Sequence, residues 1–400
     1  MTASTRIYAG GALAFGGQPA INDLLAADYN TVIVWSVHVD ATGNLILNDT
    51  QIVSGGVYKE AQPMNLPSRL AQLSKAGVEI IFSVGAGGTS DFTNIAALLG
   101  GKPGGPGNVI YDNFQALKKA MVAAGGDINA IDFDNEDNLE TSVMVNFGIT
   151  LANAGYTNVT FCPYSGQSTW YATMKALVAA KGTGFVNAIH LQCYSGGGWN
   201  IGQVSSWVQG FKQAGGQALM IPGLGTNQAA PGPWWYDNAP SSNVQKVPNV
   251  AMYEGANWGN YLYTQNFPTA DAAMQAAQTA ASFFFYCRGP LILTNGRSFQ
   301  TGDAVYFTGS PWWGSAPQAD AYYLGGPCSN IYNPNPPMTG ACPADLQAQY
   351  KTWGSSVDGG FIWLYDSVIS CLLSGCCGGT MDQPAGTALA YREAITNGLS

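Results

Sequence analysis

Eight short runs rich in β-branched and aromatic residues recur along the chain, at Arg6–Leu13, Thr31–Val39, Val78–Gly85, Ala130–Glu136, Asn158–Tyr164, Ala188–Tyr194, Ala218–Gly225 and Gly360–Asp366. Longer Ala-rich stretches of helical character lie between several of them, at Leu66–Ala76, Tyr111–Ala124, Ser142–Ala154, Thr169–Ala180 and Ile201–Ala214. Each ends near a glycine able to take the left-handed conformation that closes a helix. Strands alternating with helices read as βα units, in which the crossover makes successive strands parallel. Eight such units predict an α/β fold, a closed (β/α)8 TIM barrel. With 400 residues, 46% of them apolar, the chain can bury one large barrel core, and disorder is excluded.

The spacing is regular up to the seventh run and then breaks. About 130 residues separate Gly225 from Gly360, where about 30 to 40 would complete a βα unit. We read residues 1–400 as a single catalytic barrel and 228–342 as an insertion between strands 7 and 8. Between Gly225 and Gly360, Pro268–Phe284 is helix-like, Leu291–Phe307 reads as a hairpin around Asn295-Gly296, and Pro343–Trp353 supplies the seventh barrel helix. Six of the 11 tryptophans fall here: Trp234, Trp235, Trp258, Trp312, Trp313 and Trp353. Loops that follow barrel strands gather on the catalytic face. The insertion is therefore expected to pack over that face, either walling a cleft or forming a Trp-rich satellite core.

Charged residues make up only 10% of the chain, 15 basic and 24 acidic, for a net charge of -9. No basic footprint for nucleic acid or an anionic membrane is visible. Scarce charge with abundant Trp, Tyr and Asn suits a neutral polyhydroxylated ligand, a hint of carbohydrate. The start, Met1-Thr-Ala-Ser-Thr-Arg-Ile-Tyr8, lacks the basic and apolar regions of a secretory signal. No run of about 18 apolar residues occurs. Eight cysteines are too dispersed, and the two histidines too few, for a zinc site, and no metal or cofactor is expected. Cys328 and Cys342 bracket a Pro/Asn-rich loop, and Cys371 lies near Cys376-Cys377. This arrangement suits disulfides in an oxidising compartment, while buried free thiols remain the alternative. An extracellular monomer is expected.

Six of the 24 acidic residues crowd between Asp127 and Glu140. On a strand, Asp132, Asp134 and Glu136 share one face, and Ile131, Phe133 and Asn135 the other. Facing the barrel interior, three like charges in a low dielectric cannot all ionise, so a shared proton and a raised pKa are expected. A general acid needs that condition. The cluster also offers oxygen ligands for calcium or magnesium, but alternate positions on a central strand suit proton sharing better than cation binding.

This stretch resembles the fourth-strand pattern D-x-x-D-x-D-x-E of glycoside hydrolase family 18, the chitinases and endo-β-N-acetylglucosaminidases. Asp132, Asp134 and Glu136 match its last three acidic positions, whereas Asn129 stands at the first, a departure expected to tune the carboxylate stack. Ser83-Val-Gly85-Ala-Gly87-Gly88 resembles the family's Ser-x-Gly-Gly turn, Gln192-Cys-Tyr194 ends the sixth strand, and Trp363 lies in the eighth. The resemblance covers roughly residues 5–227 and 343–398. It implies retaining hydrolysis in which the substrate's own acetamido oxygen attacks the anomeric carbon. Glu136 would be general acid and then base. Asp134 would orient the acetamido N–H, and Asp132 would share a proton with it. Tyr194 would bind the acetamido carbonyl, and Trp363 would floor the sugar site. Gln192, Tyr164, Trp234 and Trp235 complete the expected substrate-binding set.

Other features carry less. His38 and His190 are expected as packing residues, His190 pointing inward. Without a Gly-x-Ser-x-Gly run, Ser/His hydrolase chemistry has little support. Gly100–Gly107 mimics a phosphate loop superficially, because its prolines remove N–H donors. Neighbouring positions on a strand face opposite ways, so at most half of Trp234-Trp235 and Trp312-Trp313 can touch a ligand. The expected partner is an N-acetylglucosamine-containing polysaccharide or oligosaccharide, most simply chitin. The alternatives are N-glycans, for an endo-β-N-acetylglucosaminidase, or a non-catalytic carbohydrate-binding barrel.

Overall fold

A computed structural model describes residues 3–61, 64–226, 343–368 and 385–400, together with the backbone of short strands between 252 and 323. The barrel strands are β1 (Ser4–Ala9), β2 (Thr31–Val39), β3 (Glu79–Val84), β4 (Ala130–Phe133), β5 (Asn158–Phe161), β6 (Val186–Gln192), β7 (Leu219–Gly225) and β8 (Gly359–Trp363). They pair in parallel in that order, and β8 and β2 both flank β1, so the barrel closes. Helices connect the strands as the sequence predicts, including Leu66–Lys75, Val109–Ala123, Thr141–Asn153, Gln167–Lys181 and Pro343–Trp353.

Strand alternation builds two cores. Ile7, Val32, Phe82, Ile131, Phe133, Phe161, Ile189 and Leu191 point outward and pack against the helices. Phe133 stacks on Phe147 of Thr141–Asn153 with ring centroids 5.0 Å apart; burying a side chain of this size contributes about 1.5–3 kcal/mol. Tyr8, Ile33, Trp35, Ile81, Ala130, Cys162, Ala188, Tyr194, Ile221 and Phe361 form the second core, inside the barrel.

Several expected boundaries move. The first strand ends at Ala9, and Gly11–Phe15 is a short helix. Asp366, far along the chain, accepts the Gly10 and Ala12 N–H groups at the start of that helix. The acidic strand ends at Phe133, although the Asp134 N–H still bonds the Val84 carbonyl at 2.9 Å and extends the ladder to β3. A helix expected over Ile201–Ala214 splits into a 3-10 turn, Ser195–Gly202, and a helix, Val204–Gln213. An antiparallel excursion after β2, through Leu45–Leu47, Thr50–Ser54 and Val57–Tyr58, has no counterpart in the sequence reading. In the insertion, Leu291–Ile292 pairs antiparallel with Ser298–Phe299 across the expected turn. Ala304–Phe307 instead pairs with Phe284–Tyr286 and Ala321–Tyr323, so the hairpin is shorter than expected. The helix expected over Pro268–Phe284 lies outside the described residues except at its last position, where Phe284 begins a strand instead. No helix among the described residues is long and apolar enough to cross a membrane.

Candidate active site

The carboxylates occupy the C-terminal end of β4, in three different environments. Asp132 is wholly buried and accepts from Tyr8 Oη (2.9 Å), Ser83 Oγ (2.8 Å), Thr160 Oγ1 (2.5 Å) and His190 Nδ1 (2.8 Å). These donors come from β1, β3, β5 and β6 and fill the capacity of an ionised carboxylate. Burial opposes its charge, but His190 and the hydroxyl donors outweigh burial and hold its pKa below the ordinary carboxylate value.

Asp134, also buried, accepts from Trp35 Nε1 at 3.0 Å on Oδ2 and from Gln192 Nε2 at 3.0 Å on Oδ1. Its pKa is pushed well up by burial first, and then by the charges of Glu136 and Asp132. The nearby Cys162 opposes that rise slightly, and burial pushes its own pKa well up, so the thiol stays protonated. Glu136 is half-buried, and desolvation raises its pKa against the opposing hydrogen bond from Gln192. One amide, Gln192 Nε2, thus bridges both acids, reaching Glu136 Oε1 at 3.1 Å.

Local geometry fixes the Glu136 side chain. The Asn135 side chain accepts the Asp137 and Asn138 N–H groups, closing a turn around Glu136. Asp137 then accepts the Phe92 and Thr93 N–H groups at the start of Asp91–Leu99. Glycines of the loop after β3 let it close on the acids. Gly85 has φ +103° and lies against the Asp134 carbonyl, and a Cβ on Gly87 would stand 2.9 Å from Glu136 Oε2.

An aromatic wall faces these acids. Tyr194 lies nearly parallel to Trp363, at 17° and 5.3 Å, and Trp363 meets Trp35 edge-on at 4.7 Å. Tyr194 is 3% exposed, yet its hydroxyl has no hydrogen-bond partner among the described residues. Asp134 and Glu136 lie close enough to add to the rise that burial imposes on its pKa. An orphaned hydroxyl in so polar a place costs about 1–3 kcal/mol unless a ligand satisfies it.

Of the expected residues, the structure brings together Asp132, Asp134, Glu136, Gln192, Tyr194 and Trp363. Gln192 bonds the acids rather than standing free for a ligand. Tyr164 is half-buried, and its carbonyl accepts from Asn200 Nδ2 at 2.8 Å. Trp234 and Trp235 lie outside the described residues, as do the cysteines expected in disulfides. Cys162 and Cys193 are buried free thiols. Asp132 and Asp134, between which a shared proton was expected, are held by separate sets of donors. His38 is the satisfied residue expected, bonded to Asp91 Oδ2 at 2.9 Å. His190 does point inward, but it bonds Asp132 instead of merely packing. Tyr8, Trp35, Ser83, Thr160 and Cys162 were missed as site residues. Their signal was inward phase, for Ser83 and Thr160 on the strands that adjoin β4, for Cys162 just past the end of β5, and for Tyr8 and Trp35 on the more distant β1 and β2. Among the described residues, no three His, Cys, Asp or Glu side chains converge as a metal site would require.

No protein-family model matches the chain, and no curated protein matches its sequence. Solved structures that align with it include the spore cortex-lytic enzyme SleL of Bacillus cereus, 12% identical over 98% of this chain and 74% of that one, with a TM-score of 0.41. A chitinase from Bacteroides thetaiotaomicron is 11% identical over 100% of this chain and 97% of that one, with a TM-score of 0.47. The GH18 chitinase ChiB from the chitin utilization locus of Flavobacterium johnsoniae is 9% identical over 98% and 94%, with a TM-score of 0.42. The chemistry of this chain rests on its own side chains.

Proposed function

We propose that this chain is a retaining glycoside hydrolase that cleaves β-1,4 linkages at N-acetylglucosamine with the help of the substrate's 2-acetamido group, chitin being the simplest substrate. The observation that carries this reading is the unpartnered Tyr194 hydroxyl beside two acids of raised pKa, over the face of Trp363. An acetamido group supplies what these side chains lack. Its carbonyl oxygen accepts from Tyr194, and its N–H donates to Asp134. The indole offers an apolar face for the C–H surface of the sugar ring.

In this mechanism Glu136, whose hold on its proton is strengthened by partial burial, donates to the glycosidic oxygen as the acetamido oxygen attacks C1. The leaving saccharide departs, and the positive charge of the resulting oxazolinium is stabilised by Asp134. Water deprotonated by Glu136 then opens the ring, restoring the acetamido group and retaining the anomeric configuration. Asp132 holds the charge environment of Asp134 without touching substrate.

Fluorophore release from chitobiose and chitotriose glycosides tests the reading. Wild type should turn over and Glu136→Gln should not; saturable sugar binding without turnover across about pH 4 to 8 would mark a non-catalytic binding barrel instead. Glucose oligomers, which lack the acetamido group, should resist cleavage, and efficient hydrolysis of cellotetraose would contradict substrate assistance. Comparing chitin oligomers with a high-mannose glycoprotein separates a chitinase from an endo-β-N-acetylglucosaminidase.

A further inference from the structure

Below the carboxylates, towards the N-terminal mouth of the barrel, lies a chain of polar groups that the hydrolytic mechanism does not use. His190, wholly buried, has its Nδ1 at 2.8 Å from Asp132 Oδ1 and its Nε2 at 3.0 Å from Arg6 Nη1. Arg6 is itself 4% exposed, and its Nη1 lies 4.0 Å from Glu79 Oε2, which also accepts from Thr31 Oγ1 at 3.0 Å. A guanidinium can only donate. His190 Nε2 must therefore accept, which leaves the ring proton on Nδ1, aimed at Asp132. The ring is neutral, polarised from below by a cation and bonded above to an anion. Among the described residues lining the barrel interior, Arg6 is the one cation, set against Asp132, Asp134 and the half-buried Glu136.

We propose that Arg6 and His190 form an internal counter-charge that fixes Asp132 as the permanent anion of the stack and leaves the exchangeable proton with Asp134 and Glu136. They are positioning residues, remote from any substrate. Asp132 is faced by Tyr8 on β1, Ser83 on β3, Thr160 on β5, Cys162 just past its end, His190 on β6 and Asp134 just past the end of β4. Of these neighbours only His190 links it to a positive charge. Burial lowers the pKa of His190, and Arg6 lowers it further against the pull of Asp132, in keeping with a neutral ring. A permanently charged Asp132 also raises the proton affinity of Asp134, as the direction of its pKa requires. The proton then serves the residue nearest the reacting acetamido group and is not divided with a carboxylate lower in the barrel.

The inference rests on the hydrolase reading only in its kinetic arm, and two spectroscopic arms need no turnover. The chain has two histidines, so 15N spectra of histidine-labelled protein, assigned with His38→Gln, resolve each ring. His190 should remain neutral with the proton on Nδ1 from about pH 4 to 8. An imidazolium, or a proton on Nε2, would overturn the proposal. In 13Cγ-aspartate spectra assigned with Asp132→Asn, Asp132 should stay ionised over that range in wild type. Its titration should rise by about one unit in Arg6→Met and recover in Arg6→Lys; equal titration in all three would also overturn it. Where hydrolysis is measurable, the alkaline limb of kcat should move to higher pH in Arg6→Met and return in Arg6→Lys, because Asp132 is still ionised at that limb and loss of the buried cation raises the proton affinity of the Asp134–Glu136 pair. A uniform loss of rate with fixed limbs would indicate a merely structural Arg6. If Arg6→Met does not fold, the wild-type histidine spectrum still decides.

Discussion

Asp132, Asp134 and Glu136 are one chemical type at three alternate positions, and their surroundings divide them into different species. Four donors hold Asp132 towards its ionised form, burial beside two other acids raises the proton affinity of Asp134, and partial burial raises that of Glu136, an acid that can still reach solvent. Two outcomes follow for the side chains themselves. Asp134→Asn should lower kcat on a chitobiose glycoside by at least about 10²-fold, the usual loss when a positioned stabiliser of developing charge is removed; a near-wild-type kcat would refute its role. Because the Glu136 pKa is raised, its acid form persists above the ordinary glutamate value of 4.5. The alkaline limb of kcat/KM should therefore lie above that pH, and a limb at or below it would refute Glu136 as the acid. The acids were legible in the sequence because polar residues at every second position stand out in an apolar strand, whereas Tyr194 was named through the resemblance of the Gln192-Cys-Tyr194 stretch together with the acidic pattern. Tyr8, Trp35 and Cys162 were not legible, because strands of a parallel barrel are apolar on both faces and hide their inward phase.

Individual elements are shaped by contacts made far along the chain. The loop after β3 can approach β4 only because Gly85 adopts φ +103° with its α-carbon against the Asp134 carbonyl and the Phe92 ring. Gly85→Ala introduces both a conformational strain and a clash. It should lower unfolding stability by at least about 2 kcal/mol in denaturant titrations; an unchanged midpoint would show that the loop is not so constrained. The turn to helix at Gly11–Phe15 has a similar origin. Its residues look strand-like in isolation, but the buried Asp366 carboxylate accepts two N–H groups at the start of that helix, a favourable site for negative charge. No local pattern announces a partner more than 350 positions away.

Across the molecule, the barrel tolerates buried acids outside the site as well. Asp23, on the helix Gly17–Ala27, is 2% exposed and accepts from Tyr365 Oη at 2.9 Å. Its other oxygen has no hydrogen-bond partner among the described residues. Burial raises its pKa from 3.8 to about 7. A raised carboxyl contributes its full stability below the unfolded pKa and loses it as pH rises through the folded one, so this contribution fades between about pH 4 and 7. The roughly three-unit shift corresponds to about 4 kcal/mol at most. Asp366 shifts the same way, to about 6, so only the comparison with Asp23→Asn isolates Asp23. Asp23→Asn should match wild type near pH 4 and be increasingly more stable towards pH 8; parallel stability curves would rule Asp23 out as the source. By itself the sequence determined the barrel, through eight apolar runs at βα spacing, and the stack of acids, through their period of two. Both are local patterns that survive without knowledge of neighbours. Only the tertiary structure decided which acid is charged, which carries a proton and which hydroxyl waits for a ligand. Those states depend on donors brought together from β1, β2, β3, β5 and β6, and on burial that exists only once the barrel has closed.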